Sequence, residues 1–291
     1  MNPNLVILAG GVSSRMKKVT HQPSLVDVRL QQEALSKSKS MIGVGYQGTP
    51  LMDYVLFNAR EAGYRDIVIV VGKDNDHVRE HYGHNDRDNS FHGLNISYAV
   101  QVIPSGRMKP LGTADALLQA LHVRDDWSGQ RLTVCNSDNL YSRNAFRLLL
   151  HDDHAAALID YNRDALQCEQ SRIEHFSVIQ KNSDGYLTAI IEKPSSHQIT
   201  LASDPEGRVG VSMNIFRFTY DNVYPYLERA PLHPVRQEKE LPQAIMMMIA
   251  DNPRAMFTIP LSEAVPDLTH QDDILKVQEY LQKEFPNFSF S

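Results

Sequence analysis

The 291-residue sequence has only two cysteines, Cys135 and Cys168, a single tryptophan, and no stretch approaching the ~20 consecutive apolar residues that a membrane helix needs. Two cysteines make neither a disulfide framework nor a zinc-ligand spacing. Cys135 lies in the apolar run Leu132-Thr133-Val134-Cys135, where a thiol is ordinary core material. Positive charge is also scarce: 29 Lys and Arg stand against 35 Asp and Glu, a net charge of −6, and the cations are scattered. This excludes a general nucleic-acid binder, which neutralises phosphates with a basic surface, so any anionic ligand must be held by a few local groups. The first apolar segment is five residues long, ends at once in Gly10-Gly11 and has its basic residues after it. It reads as neither a secretory leader nor an anchor, and a cytoplasmic location is the expectation. No Pro/Ser-rich linker, low-complexity tract or repeat divides the chain, which predicts a single domain over 1–291.

Secondary-structure signals are clear in the first half. Residues 5–9 form a continuous apolar run ended by glycines, as expected of a strand buried on both faces of a parallel sheet. Residues 50–62 place Leu51, Val55, Leu56 and Ala59 at helical spacing, with Pro50 before them and Gly63 after. Strands at 66–72, 96–102 and 131–135 and a helix at 113–121 complete an alternation that predicts an α/β, doubly wound, mostly parallel sheet. Beyond Asn139 the pattern becomes α+β. Strands are expected at 155–160 and 209–218, a pair at 176–180 and 187–192 around Asn182-Ser183-Asp184-Gly185, and helices at 222–227, 240–250 and 272–283.

The segment Leu8-Ala9-Gly10-Gly11-Val12-Ser13-Ser14-Arg15-Met16-Lys17 follows directly on the first strand. Its glycines let backbone approach a ligand, successive N–H groups can cradle an anion, and Arg15 offers a planar fork to phosphate oxygens. It matches neither G-x-G-x-x-G nor G-x-x-x-x-G-K-[ST], so hydride transfer and P-loop phosphoryl transfer lose support. Taken alone, the two glycines are equally an ordinary turn.

From Leu8 to Arg15 the segment resembles L-A-G-G-x-G-T-R, the opening motif of the sugar-phosphate nucleotidyltransferases, with Ser13 and Ser14 in place of Gly and Thr. The Ser-Ser-Arg-Met form is also similar to cytidylyltransferases of the molybdopterin and isoprenoid pathways. Further matches follow in the family's order. Lys39-Ser40-Met41-Ile42-Gly43-Val44 and Pro50-Leu51-Met52-Asp53 are similar to K-P-M-L-P-V and P-l-i-d, Gln101 and Leu111-Gly112-Thr113-Ala114 to the base-reading region, and Asn136-Ser137-Asp138-Asn139 to G-D-N with Ser137 for Gly. Glu192-Lys193-Pro194 matches E-K-P, Val211 to Phe216 is similar to a-s-m-G-i-Y with Asn214 and Phe216 for Gly and Tyr, Glu240-Leu241-Pro242-Gln243-Ala244 resembles a helix start that follows, and Asp267-Leu268-Thr269 resembles D-x-G-T.

The resemblance implies a nucleotidyltransferase fold of glycosyltransferase-A-like type, with a nucleotide-binding half at 1–139 and a sugar-phosphate-binding half at 140–291. It implies transfer of a nucleoside monophosphate from an NTP to a sugar-1-phosphate with release of pyrophosphate. By it Leu8, Ala9, Gly10, Gly11, Ser13, Gln101, Gly112 and Thr113 would bind the nucleotide. Asn139, Glu192, Lys193 and Asn214 would bind the sugar phosphate, and Asp138 and Asp267 would hold Mg²⁺. Arg15 and Lys39 would stabilise the pyrophosphate side while Lys193 orients the nucleophile. Partners would be small-molecule substrates, with no nucleic acid or membrane, and a homo-oligomer is allowed. Transfer to a non-sugar phosphate and a catalytically silent nucleotide-sugar binder are the alternatives. Residues 19–38 are expected to form a flap, Lys37 is an alternative to Lys39, and Asp267 could instead cap a helix. Arg107 and Lys109 are read as solvated. The histidines at 77, 81, 84, 92, 151 and 154 are assigned loop-like surroundings rather than a metal, and Met246-Met247-Met248 is core filler.

Overall fold

The central strand of the computed structural model, which describes residues 3–17, 27–73, 76–166 and 176–290, is β1 (Asn4–Leu8). It pairs in parallel with β2 (Asp66–Gly72) through Leu5↔Ile67 and with β5 (Arg131–Asn136) through Leu5↔Thr133. Beyond β2 lie β4 (Leu94–Gln101), parallel, and the short edge strand β3 (Asn89–Phe91), antiparallel. On the other side β9 (Gly210–Thr219) runs antiparallel between β5 and β6 (Ala157–Asn162), and β10 (Phe257–Leu261) closes the edge parallel to β6. The order is β3-β4-β2-β1-β5-β9-β6-β10, and the hairpin of β7 (Ser177–Lys181) and β8 (Leu187–Ile191) joins the start of β9. Cys168 and residues 19–26 of the expected flap lie outside the described residues.

Burial explains the apolar runs. Leu5, Ile7, Ile67 and Ile69 face one core, shared with α2 (Leu51–Ala62), α5 (Arg143–His151) and α9 (Asp273–Glu284). Val6, Val68 and Val70 face a second, shared with α4 (Thr113–Val123), α7 (Tyr220–Arg229) and α8 (Leu241–Asp251). A strand sandwiched between two helix layers has no polar face, which is why periods of two vanish from β1 and β2. α2 ends at Gly63, left-handed at φ 114°, whose N–H reaches the carbonyls of Ala59 and Arg60. The β7–β8 turn is held by Asn182 Oδ1, which accepts from the N–H of Asp184 at 3.1 Å and of Tyr186 at 2.9 Å.

Several elements go beyond the sequence expectation: α1 (Val28–Ser36), α3 (Asp76–Tyr82), α5, α6 (Ser196–Ala202), β3 and β10. α3 has only Val78 and Tyr82 to bury. β10 carries Pro260, which an edge strand tolerates and a sequence reading demotes. α3 also corrects the loop-like setting expected for the histidines, since His77 and His81 lie on it and His81 Nε2 is 3.0 Å from the buried Asp53 Oδ1 of α2. His154 stacks on Phe257 with ring centroids 3.8 Å apart and pairs with Asp152. Among the described residues no group of three or more His, Cys, Asp and Glu could hold a metal, and no helix is long and apolar enough to cross a membrane.

Candidate active site

The carboxyl ends of β1, β4 and β5 open onto one crevice, the place where ligands bind in doubly wound sheets. As the chain leaves β1, the Ala9 N–H still bonds the Val70 carbonyl at 2.9 Å, and the following residues turn across the strand ends. Ser13 is buried and left-handed at φ 52°, a conformation that suits the glycine of the resembled motif. Its hydroxyl accepts from the Lys39 N–H at 3.4 Å, tying the loop to the 3-10 turn Lys39–Met41. Arg15 is exposed and lines the crevice. The turn aims Lys39 inward, with Nζ 2.8 Å from Asp138 Oδ2, whereas Lys37 pairs with Glu33 at 3.4 Å on α1. Of the two candidate lysines, Lys39 lines the crevice. The start of this turn is anchored by His77, whose Nε2 accepts from the Ser38 N–H at 3.2 Å. Burial, and then Lys37, hold the His77 imidazole below its ordinary pKa of 6.5 and favour the neutral ring that this bond requires.

Asp138 and Asp267, 129 positions apart in sequence, are joined through the backbone. The Leu268 N–H donates to the Asp138 carbonyl at 2.9 Å, the Leu140 N–H donates to the Pro266 carbonyl at 2.8 Å, and Asn139 and Asp267 form an antiparallel bridge. Thr269 Oγ1 donates to Asp267 Oδ1 at 2.7 Å and fixes that carboxylate. Capping does not account for Asp267, because α9 begins six residues later and Asp273 Oδ2 is the acceptor for the N–H groups of Thr269 and His270. Gln271 Nε2 donates to the Met16 carbonyl at 3.0 Å, fastening the glycine-rich loop to the same segment. Asn139 is buried, and its Oδ1 accepts from Tyr141 Oη at 3.4 Å. Burial, reinforced by the charge of Asp138, pushes the nearby Cys135 thiol well above its ordinary value, so it is not a nucleophile at neutral pH.

The opposite wall forms where α4 meets the segment before α8. Gly112, at φ 105°, caps α4 so tightly that a Cβ there would lie 2.5 Å from the Lys239 carbonyl. The Ala114 N–H donates to that carbonyl at 3.0 Å, and Thr113 Oγ1 accepts from the Leu241 N–H at 2.9 Å. Gln101, buried at the end of β4, donates Nε2 to the Gly112 carbonyl and to Asp115 Oδ2, both at 2.8 Å. Arg107, expected to be solvated, donates to the Gln237 carbonyl, while Lys109 is exposed at the rim. Arg236 pairs with both Glu192 and Glu240, joining the E-K-P motif to this wall.

Two cavities result. The larger, about 680 Å³, runs from the glycine-rich loop past Lys39 and Asp138 to Gln101, Gly112 and Arg236, within the ~300–1,000 Å³ usual for small-molecule sites. The smaller, about 160 Å³, shares Leu8, Thr113, Asn136 and Glu238 with it and is lined also by Glu192, Asn214 and Phe216. Asn139, Lys193 and Asp267 line neither. Lys193 is exposed, left-handed at φ 47° at the end of β8.

The family model described as nucleotidyl transferase matches residues 4–283. The chain belongs to the nucleotidyl transferase family. It is 23% identical over 234 residues to a glucose-1-phosphate adenylyltransferase of Koribacter versatilis, covering 76% of this chain and 49% of that protein. It is 24% identical over 228 residues to the protein of the same name from Yersinia pseudotuberculosis, covering 77% of this chain and 48% of that one. The chain thus spans about half the length of these curated relatives. Among solved structures, a Bacillus anthracis protein named for glucose-1-phosphate thymidylyltransferase superposes with a TM-score of 0.65 at 19% identity, covering 98% of this chain and 97% of the other, which shows a common fold. Asp115, Arg236 and Glu238 belong to none of the motifs resembled in the sequence. The run Arg236-Gln237-Glu238-Lys239-Glu240 was the available signal, and only its pairing with a motif 44 residues upstream gives it meaning.

Proposed function

We propose that this nucleotidyl transferase joins the nucleoside monophosphate of an NTP to a sugar-1-phosphate. The observation that carries the reading is the convergence of Lys39, Asp138 and the Asp267 segment at the mouth of the glycine-rich loop. The N–H groups of the loop, with Arg15, receive the triphosphate, and Gln101, Gly112 and Thr113 line the base end. A phosphate oxygen of the sugar-1-phosphate forms a bond to the α-phosphorus as the bond from that phosphorus to the bridging oxygen of the β-phosphate breaks, and pyrophosphate leaves with the electron pair. The attacking oxygen is already ionised near neutral pH, so no general base is needed, and catalysis consists of positioning two anions and offsetting their charge.

Asp138 and Asp267 supply hard carboxylate oxygens from two backbone-paired segments, the first held by Lys39 and the second by Thr269, a donor set that fits Mg²⁺. When bound, Mg²⁺ would polarise phosphoryl oxygens and offset charge there. Lys39 and Arg15 meet the leaving pyrophosphate. Lys193 orients the sugar phosphate from the end of β8, Glu192 and Asn214 face the sugar, and Asn139 acts by holding the Asp267 segment. We assign 1–139 to the nucleotide and 140–291 to the sugar phosphate within one domain. A cytoplasmic setting and self-association into a homo-oligomer belong to the same reading, the latter measurable by light scattering.

The test is pyrophosphate release with each NTP, Mg²⁺ and a panel of sugar-1-phosphates and phospho-alcohols. Release with a sugar-1-phosphate is expected; release with phospho-alcohols alone moves the acceptor class, and none with any pair overturns the reading. Asp138→Asn should lower turnover by more than ~10²-fold with the fold intact by circular dichroism.

A further inference from the structure

We propose that Asp115 is the positioning residue that decides which hydrogen-bonding group Gln101 offers to the nucleotide base, leaving Oε1 as an acceptor on the cleft side. The inference rests on the reading above that a nucleotide fills the larger cavity. A glutamine amide can face a ligand with its oxygen or its NH₂, and either way round has the same shape. Here the choice is forced. Nε2 lies 2.8 Å from the Gly112 carbonyl and 2.8 Å from Asp115 Oδ2, two acceptors, so both N–H bonds are engaged inside the protein. Turning the amide over would set Oε1 against two oxygens and leave a buried donor without a partner. Oε1 instead lies toward Gly10, 3.1 Å from the point where a Cβ on that residue would stand. A side chain at Gly10 would press on this oxygen, and glycine there leaves it open to the cavity that Gly10 and Gln101 both line.

Asp115 is built for this task. It sits in the first turn of α4, is buried, and receives a second, longer bond of 3.4 Å from Gln119 Nε2 on Oδ1. Removing its carboxylate leaves only the Gly112 carbonyl to hold the amide, which can then rotate. The base edge that meets Gln101 must therefore carry an N–H. An edge that offers only a lone pair would bury two acceptors against each other. Asp115 does not line the cavity, so it acts through Gln101 on nucleotide binding rather than on turnover.

The experiment uses the full chain and compares kcat and KM for ATP, GTP, CTP, UTP and dTTP. The preferred nucleotide is then set against its analogue without the edge donor: purine for adenine, 1-methylhypoxanthine for guanine, pyrimidin-2-one for cytosine, or the N3-methyl base for uracil or thymine. The native protein should show a KM about 10-fold higher for the analogue, the value of one hydrogen bond. Asp115→Leu should raise KM for the parent nucleotide and shrink that gap to about 2-fold, with kcat nearly unchanged. Asp115→Asn, which keeps an oxygen for Nε2, should restore the gap. Gln101→Met, which keeps the Asp115–Gln119 bond of α4, should abolish it and stands in if Asp115→Leu does not fold. An undiminished gap in Asp115→Leu or Gln101→Met, or a loss confined to kcat, overturns the proposal. If no acceptor supports turnover, Kd from calorimetry replaces KM: a base-dependent gap sensitive to Asp115 then removes the reaction and keeps this inference, whereas turnover without a gap does the reverse.

Discussion

The two walls of the cleft are built on different principles. The wall after β1 is backbone from one short stretch, turned by left-handed Ser13 and fastened at two points, by Ser13 to the Lys39 N–H and by Gln271 to the Met16 carbonyl. The opposite wall is made of side chains and carbonyls from segments near 101–115, 192 and 236–241, held together by Gln101–Asp115, Gly112 against Lys239 and Arg236 between two glutamates. A backbone wall tolerates changes of side chain, whereas a wall of paired groups loses its shape when one partner goes.

That contrast can be broken at its tightest point. Gly112→Val puts a Cβ 2.5 Å from the Lys239 carbonyl in a left-handed conformation. It should cost about 3 kcal/mol, seen as a lowered urea midpoint, together with a higher KM for the nucleotide. Arg236→Ala should be gentler. It frees Glu192 from Glu240 and removes a cation that lines the larger cavity, so the KM for the NTP should rise about 10-fold, one charge-assisted bond, and that for the sugar-1-phosphate should rise less. Equal effects on both substrates would merge the two walls.

At the Lys39 turn beside that first wall, acid is the probe. The His77 pKa is depressed in the folded protein, so between that value and 6.5 the unfolded chain binds more protons and stability falls as pH falls. Melting temperature should drop on acidification through this window, and His77→Gln, which can still accept from the Ser38 N–H, should flatten that part of the curve. The smallest effect belongs to Asn214. At φ 57° it suits glycine, so Asn214→Gly should be near neutral and Asn214→Ala should cost roughly 1 kcal/mol by chemical denaturation.

The same distinction explains what could be read from sequence. β2 appears over residues 66–72 as its apolar run implies, and α2 ends at the glycine expected to end it, because both signals are local. Three replacements of motif glycines separate in the structure. Ser13 and Asn214 occupy left-handed positions and compensate, Ser13 with a hydroxyl bond to the Lys39 N–H and Asn214 with the residue type most tolerant of that region. Ser137 has no positive φ, so nothing in the local backbone asks for glycine there. α3 and β10 escaped because a helix with two apolar residues and an edge strand with a proline carry little periodicity. Asp115 and Arg236 escaped because pairing with Gln101, 14 positions away, and with Glu192, 44 positions away, leaves no periodic signal in the sequence.

The bond from Gln271 to the Met16 carbonyl spans 255 positions. During synthesis at ~5–20 residues per second, the glycine-rich loop leaves the ribosome some tens of seconds before the residue that fastens it. The strands β1, β2, β4 and β5 all precede Asp267 and Gln271 in the chain, so the contacts those two residues make to the crevice come after its strands. The loop after β1 is thereby fastened only once the chain has been made as far as residue 271.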